Sequence, residues 1–142
     1  MDRTPTIRFA LDEGAYQPER AHDTDAGADL RTPVGFTLPP HGSVTIDTGV
    51  HVELPPFTAG LLVPKSGLNI RCDAVDWGLI DEGYSGSIAV KLYNLGRHAR
   101  YFDKGDKIAQ LVVTLVAYPH YVQADEVTGG ERGTDGFGST GR

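Results

Sequence analysis

Residues 35–64 read GFTLPPHGSVTIDTGVHVELPPFTAGLLVP. Four short β-prone runs, 35–38, 43–47, 50–54 and 58–64, are set apart by turn residues, first Pro39-Pro40-His41-Gly42 and then Pro55-Pro56. Proline has no N–H to give to a ladder and glycine takes turn dihedrals freely, so such clusters cut a chain into strands. A helix would show apolar residues at a 3.6-residue period over a long window, and no such pattern occurs along the chain. The same texture continues outward. Further strands are expected over 6–11, 28–32, 69–74, 78–80, 87–94, 99–102, 107–116 and 121–123, with Lys104-Gly105-Asp106 as another turn. One helical turn is allowed after Ser66, over 67–70. Many short, regularly spaced strands predict an all-β sandwich, barrel or jelly roll.

A chain of 142 residues suggests one domain with a modest core. The net charge of −6 argues against a general DNA or RNA binder, which is usually basic. It leaves room for one phosphorylated small molecule, for which a divalent metal is the simplest local cation. No apolar run is long enough for a membrane span, and the polar start Met1-Asp2-Arg3-Thr4-Pro5 is followed by no apolar signal segment. Cys72 is the only cysteine, so no internal disulfide forms. These features fit a reducing cytoplasm. Residues 128–142, TGGERGTDGFGSTGR, have little to bury apart from Phe137 and cannot offset their own ordering entropy. They read either as a disordered terminus or as a flexible arm that orders over a ligand. The expected division is a body over 1–128 and an arm over 129–142.

Several motifs fail on context. Gly136 to Gly141 matches G-x-G-x-x-G, but the dinucleotide reading needs a strand before it and a helix after it, and the sequence stops one residue later. Gly133 to Ser139 lacks the lysine of a phosphate-binding P-loop. None of the five histidines stands at metal-ligand spacing with another His or Cys, which argues against zinc and zinc-dependent deamination.

Five segments remain: Asp25-Ala26-Gly27-Ala28-Asp29-Leu30-Arg31, Pro64-Lys65-Ser66-Gly67-Leu68, Gly78-Leu79-Ile80-Asp81-Glu82-Gly83-Tyr84-Ser85-Gly86, Gly105-Asp106-Lys107-Ile108-Ala109-Gln110-Leu111, and the tail from Arg132-Gly133 to Arg142. In this order the chain resembles the trimeric dUTPase family, from about residue 22 to its end. The third segment and the Gly-Phe-Gly-Ser-Thr-Gly tail are the most specific. The resemblance implies a distorted jelly roll (β-clip) with at most one short helical turn and a Gly-rich arm. It also implies a homotrimer with shared active sites, and hydrolysis of dUTP to dUMP and pyrophosphate with Mg²⁺. That reaction keeps uracil out of DNA and supplies dUMP for dTMP synthesis.

Each residue carries a bland reading beside the sharp one. Asp81, after Leu79-Ile80 and before a Gly-containing turn, is either a turn cap or a general base; the family implies that it activates the attacking water. Tyr84 is a half-buried strand tyrosine or, by resemblance, the ring that leaves no room for a 2′-hydroxyl. Backbone groups of the strand before Asp81 would then read uracil. Ser66 and Gly67, a hydroxyl beside a residue that admits close approach, suit phosphate. Lys65 stands where the family more often has Arg; it keeps the charge and loses the bidentate fork. Asp29 is a solvated strand-end acid or, by resemblance, places the metal through water. Gln110, alone among apolar neighbours, needs a partner if buried, and the family implies a phosphate oxygen. In the tail Phe137 could stack on uracil, while Arg132, Gly138, Ser139 and Thr140 could bind phosphates, with Arg142 adding charge. The family implies that the arm crosses to another subunit.

Two other functions use much of the same material. A dCTP deaminase shares the fold superfamily, but the intact tail and the Asp81/Tyr84 segment speak against it. A nucleotide-sensing protein that binds a protein partner, as some phage relatives are thought to do, needs the same pocket. A purely structural jelly roll needs none of the five segments. No membrane contact and no direct nucleic-acid contact are expected.

Overall fold

The computed structural model describes residues 4–138 and 140–141. In chain order its elements are β1 (Arg8–Leu11), β2 (Gly27–Arg31), β3 (Phe36–Leu38), β4 (Ser43–Asp47), β5 (Val50–Glu53), β6 (Thr58–Val63), α1 (Ser66–Cys72), β7 (Ala74–Asp76), β8 (Gly78–Ile80), β9 (Ala89–Asn94), β10 (Arg100–Phe102) and β11 (Lys107–Leu115). A four-stranded sheet runs β2-β11-β6-β8 and a three-stranded sheet runs β4-β9-β7; β1-β5 and β3-β10 are two-stranded ribbons. Every strand pair is antiparallel. The expected all-β, jelly-roll-like architecture with one short helix is what forms.

Strand periodicity builds the core. On β9, Val90, Leu92 and Asn94 point inward while Ala89, Lys91 and Tyr93 point out. Val90, Leu92 and Ile46 of the three-stranded sheet share one apolar cluster with Leu30, Leu62, Ile80, Ile108 and Leu111 of the four-stranded sheet. Each such burial is worth ~1.5–3 kcal/mol, so the two sheets hold each other. β11 carries a register shift against β2 between Lys107 and Ala109. Lys107 and Gln110 are an odd number of residues apart and would face opposite sides of a regular strand; the bulge brings both to the side of Asp29.

Two expected strands do not form. Residues 69–74 lie mostly in α1, where Leu68 and Cys72, one helical turn apart, both pack against the core. Ile70, whose branching favours a strand, is exposed there. Asp73 ends the helix in the left-handed region (φ 52°), its N–H donating to the Leu68 carbonyl, and β7 starts at the next residue. The helical turn expected over 67–70 thus extends to seven residues. Residues 121–123 pair with no strand; Tyr121 and Val122 are exposed and find no apolar face to cover. Among the described residues no helix is long and apolar enough to cross a membrane.

One core residue breaks the pattern. Asp76, opposite Leu92, is 4% exposed, and among the described residues neither carboxylate oxygen has a hydrogen-bond partner. Desolvation pushes its pKa up to about 6 from 3.8. A raised folded-state pKa means stability is full below pH 4 and is lost as pH rises through about 6. Asp76→Asn, neutral throughout, is expected to match the parent at pH 4 and to exceed it at pH 8 by on the order of 2 kcal/mol. Thermal melts of both proteins across that range check this; a stability difference independent of pH refutes it.

Candidate functional site

Four of the five segments gather at two ends of the four-stranded sheet; the tail stands apart. At one end Asp29 on β2 is 4% exposed. Its Oδ1 accepts from Lys65 Nζ at 2.5 Å and its Oδ2 from Lys107 Nζ at 2.7 Å. Burial alone would raise this carboxyl, but hydrogen bonds from Lys107 and Lys65 and their charges outweigh it and hold it below the ordinary carboxylate range. Gln110 stands opposite Asp29 on one side and Val63 on the other. Its Nε2 donates to the Pro64 carbonyl at 3.2 Å, so its amide already has a protein partner. A Cβ on Gly27 would come within 2.7 Å of Gln110 Oε1, so only glycine leaves space for that side chain. Ser66 and Gly67 open α1 and are exposed, and a Cβ on Gly67 would meet nothing within 4 Å. This end therefore combines two cations, a hydroxyl and open space.

At the other end β8 pairs, among the described residues, only with β6, which leaves an open strand edge, and the chain then turns through Asp81 to Gly86. The Tyr84 N–H donates to the Asp81 carbonyl at 3.1 Å, and Gly83 has a φ of 86° that suits glycine. The Tyr84 hydroxyl donates to the Ser87 carbonyl at 3.0 Å. Its ring lies over Gly86, where a Cβ would come within 2.4 Å of the phenol oxygen. Asp81 is exposed, and among the described residues its carboxylate has no hydrogen-bond or ion-pair partner. It lines an open depression of about 620 Å³ with Thr58, Ala59, Leu79, Glu82, Gly83, Val116 and Tyr118. Glu82 ties this turn to the rest: Oε2 accepts from the Phe57 N–H at 2.9 Å and from the Tyr118 hydroxyl. The bond to Glu82, followed by burial and nearby acidic charge, pushes the Tyr118 phenol up to about 12.

The two ends do not meet within one chain. Ile80 stands opposite Gly60, whereas Gln110 stands opposite Val63. From Ala59, which shares the depression with Asp81, to Pro64, which precedes Lys65, the strand advances about 16 Å at ~3.3 Å per residue. The tail joins neither end. Arg132 donates to the Asp135 and Gly136 carbonyls at 2.8 and 3.1 Å, Phe137 is wholly exposed, and Gly138 (φ 83°) turns the chain before Thr140. Ser139 and Arg142 lie outside the described residues. Three contributors carried no assigned role in the sequence reading: Lys107, Glu82 and Tyr118. Lys107 had a signal, a cation three residues before Gln110, but its facing depends on the bulge.

Among the described residues no group of three or more His, Cys, Asp or Glu side chains converges to hold a metal ion. Each oxygen of Asp29 already takes an ammonium group, so any water relayed from it to a cation shares its site with a lysine. A protein-held Mg²⁺ does not fit this arrangement.

A model of the family described as dUTPase matches residues 14–141. The deoxyuridine 5'-triphosphate nucleotidohydrolase of Tropheryma whipplei (strain Twist) is 38% identical over 136 residues, covering 93% of each chain. Among solved structures, a Staphylococcus bacteriophage 80alpha dUTPase with dUPNHPP aligns with a TM-score of 0.88 at 32% identity, covering 98% of this chain and all of that one. A variant dUTPase of S. aureus phage phi11, described with a coordinated structural Mg(II) ion, aligns with a TM-score of 0.79 at 29% identity over 86% of this chain and 98% of its own. With the fold, the open Asp81 turn and the cationic Ser66 end already in place, these likenesses make the chain a member of the dUTPase family.

Proposed function

We propose that this dUTPase cleaves dUTP to dUMP and pyrophosphate by in-line attack of an Asp81-held water on the α-phosphorus. The observation that carries this reading is the state of the two key acids. Asp29 is buried and committed to two lysines, whereas Asp81 is exposed with its carboxylate free to accept a proton from water. Lys65, Ser66, Gly67 and Gln110 then receive the phosphate chain. Asp29 acts by aiming Lys65 and Lys107. Magnesium enters as part of the substrate, the Mg²⁺ complex of the triphosphate, which needs no protein cage. The open edge of β8 offers backbone N–H and C=O groups to uracil, and the Tyr84 ring meets the deoxyribose.

Since Asp81 and Ser66 sit at opposite ends of one sheet, the site closes when a second chain brings its own Asp81 end to this chain's Ser66 end. That favours a homotrimer with shared sites. The arm, with Arg132, Phe137, Gly138, Ser139 and Thr140, folds over nucleotide bound between subunits. We place the reaction in the cytoplasm. Likeness to the 80alpha enzyme, described among phage dUTPases that control transfer of virulence genes, favours a second reading in which bound nucleotide also gates a protein partner.

The test is pyrophosphate release from dUTP, UTP, dTTP and dCTP, with Mg²⁺ and with a chelator. Release from dUTP alone, lost with the chelator, is expected. Folded protein that binds dUTP and releases nothing refutes hydrolysis and supports nucleotide-gated binding.

A further inference from the structure

The turn that carries Tyr84 is exposed, yet selecting a sugar by excluding one hydroxyl needs a ring fixed to within a fraction of an ångström. Ser87 Oγ, just past that turn, donates to Asp47 Oδ1. On the side of the turn itself stands His51. Its Nδ1 is 2.8 Å from the Ser85 carbonyl oxygen, and its Nε2 is 3.1 Å from Asp12 Oδ1. β5 holds His51 opposite Ala10 of β1, so Asp12, two residues beyond Ala10, reaches the same side.

The chemistry of these partners fixes the ring's state. A carbonyl oxygen and a carboxylate can only accept, and a neutral imidazole has one N–H. Both contacts are hydrogen bonds only when both ring nitrogens carry protons. The surrounding charges agree. Asp12 and Asp47 are the acids whose charge reaches the ring, while Arg8 and Glu53, which line a depression together with Asp12, His51 and Ser85, pair with each other at 3.3 Å. The Ser85 carbonyl first, and the Asp12 carboxylate second, raise the imidazole above its ordinary range.

We propose that His51, as an imidazolium, is a positioning residue that braces the Ser85 carbonyl against Asp12 and so fixes Tyr84 for selection of the 2′-deoxy sugar. Loss of its proton leaves one N–H for two acceptors, and one of them then faces a ring lone pair. The ring is no longer braced from both sides, and the turn gains freedom. This rests on the reading of Tyr84 given above, so the test separates the two.

Two variants divide the imidazole's functions. In His51→Asn the amide nitrogen takes the place of Nδ1 and keeps the bond to Ser85. In His51→Gln it takes the place of Nε2 and keeps only Asp12. The parent and both variants, with melts to show that they fold, are assayed on dUTP and UTP from pH 6 to 9. The parent's preference for dUTP is expected to fall roughly threefold to tenfold as His51 loses its proton, the effect of one modest hydrogen bond. The change should lie in KM more than in kcat. Each variant keeps one bond of the brace and has no titrating ring, so both should sit near the parent's high-pH level at every pH. Nitrogen-15 NMR of the parent should show both ring nitrogens protonated at the acid end of this range, with a titration midpoint above that of a free imidazole. A variant that holds the parent's low-pH preference, a flat parent profile across the NMR titration of His51, or a ring that titrates no higher than a free imidazole each overturns the proposal. A parent that turns over no dUTP overturns the functional reading instead, while the NMR result still decides the state of His51.

Discussion

Asp81→Asn is expected to lower kcat for dUTP by about 10²–10⁴-fold, the usual worth of a positioned general base, while nucleotide binds almost as before. Asparagine keeps the size of the side chain and cannot accept the proton of water. The turn should survive, because none of its bonds uses this carboxylate. Tyr84 N–H holds the Asp81 backbone carbonyl, Glu82 holds Phe57 and Tyr118, and Ser87 holds Asp47. Binding of a non-hydrolysable dUTP analogue, beside single-turnover rates, separates the two effects; an unimpaired rate removes Asp81 from the role of base. The same variant tests the shared site. Asp81→Asn and Ser66→Ala chains, each impaired at one site residue, are mixed through denaturation and refolding. If one chain's Asp81 serves another's Ser66, about a quarter of the sites in random mixtures regain both residues and activity returns. If each chain served itself, mixing would restore nothing.

What the sequence made legible follows from local chemistry. Proline and glycine clusters at 39–42 and 55–56 mark real strand ends, because what they forbid is local. The stretch 69–74 was misread because its β-branched Ile70 is a surface residue, while the deciding contact is Leu68 with Cys72 against a core assembled from distant strands. The site shows the same division. Glycines 27 and 86 look like ordinary family letters, but the structure gives each a reason: one makes space for Gln110, the other for the Tyr84 ring. Lys107 was unassigned because a bulge decides which way it faces, and a bulge leaves no mark in composition. The brace on Ser85 pairs residues 34 apart, and His51 by itself reads as any strand histidine. Gln110 is expected to need a partner if buried, and the family implies a phosphate oxygen; the Pro64 carbonyl already fills that need, so a phosphate would have to share or displace that bond.

Deleting residues 129–142 is expected to leave the body as stable as before and to lower kcat/KM for dUTP by about 10²–10³-fold. The first half follows from packing. Phe137 is wholly exposed, the arm's hydrogen bonds among the described residues run within the arm, and no core residue lies beyond Leu111. An unpacked segment contributes nothing to the core, so the melting temperature should stay put. The second half follows from what the arm holds in reserve. Arg132 now donates to two of its own backbone carbonyls, which are neutral acceptors. A triphosphate offers charged oxygens in their place, and charge-assisted bonds are roughly twice as strong. Phe137 has no packing to lose, and stacking an aromatic on a base is worth ~1–3 kcal/mol. One charge-assisted hydrogen bond adds ~1.5–3 kcal/mol, so the two contacts supply ~2.5–6 kcal/mol; the 10²–10³ stated, ~3–4 kcal/mol, lies within that range when the arm's remaining phosphate contacts are set against its ordering entropy. Phe137→Ala alone should lose about tenfold of this, by removing only the stack. Melting curves and kcat/KM for the three proteins decide the matter. An arm whose loss lowers the melting temperature is packed onto the body after all, and an arm whose loss leaves turnover intact is a disordered end with no part in the site.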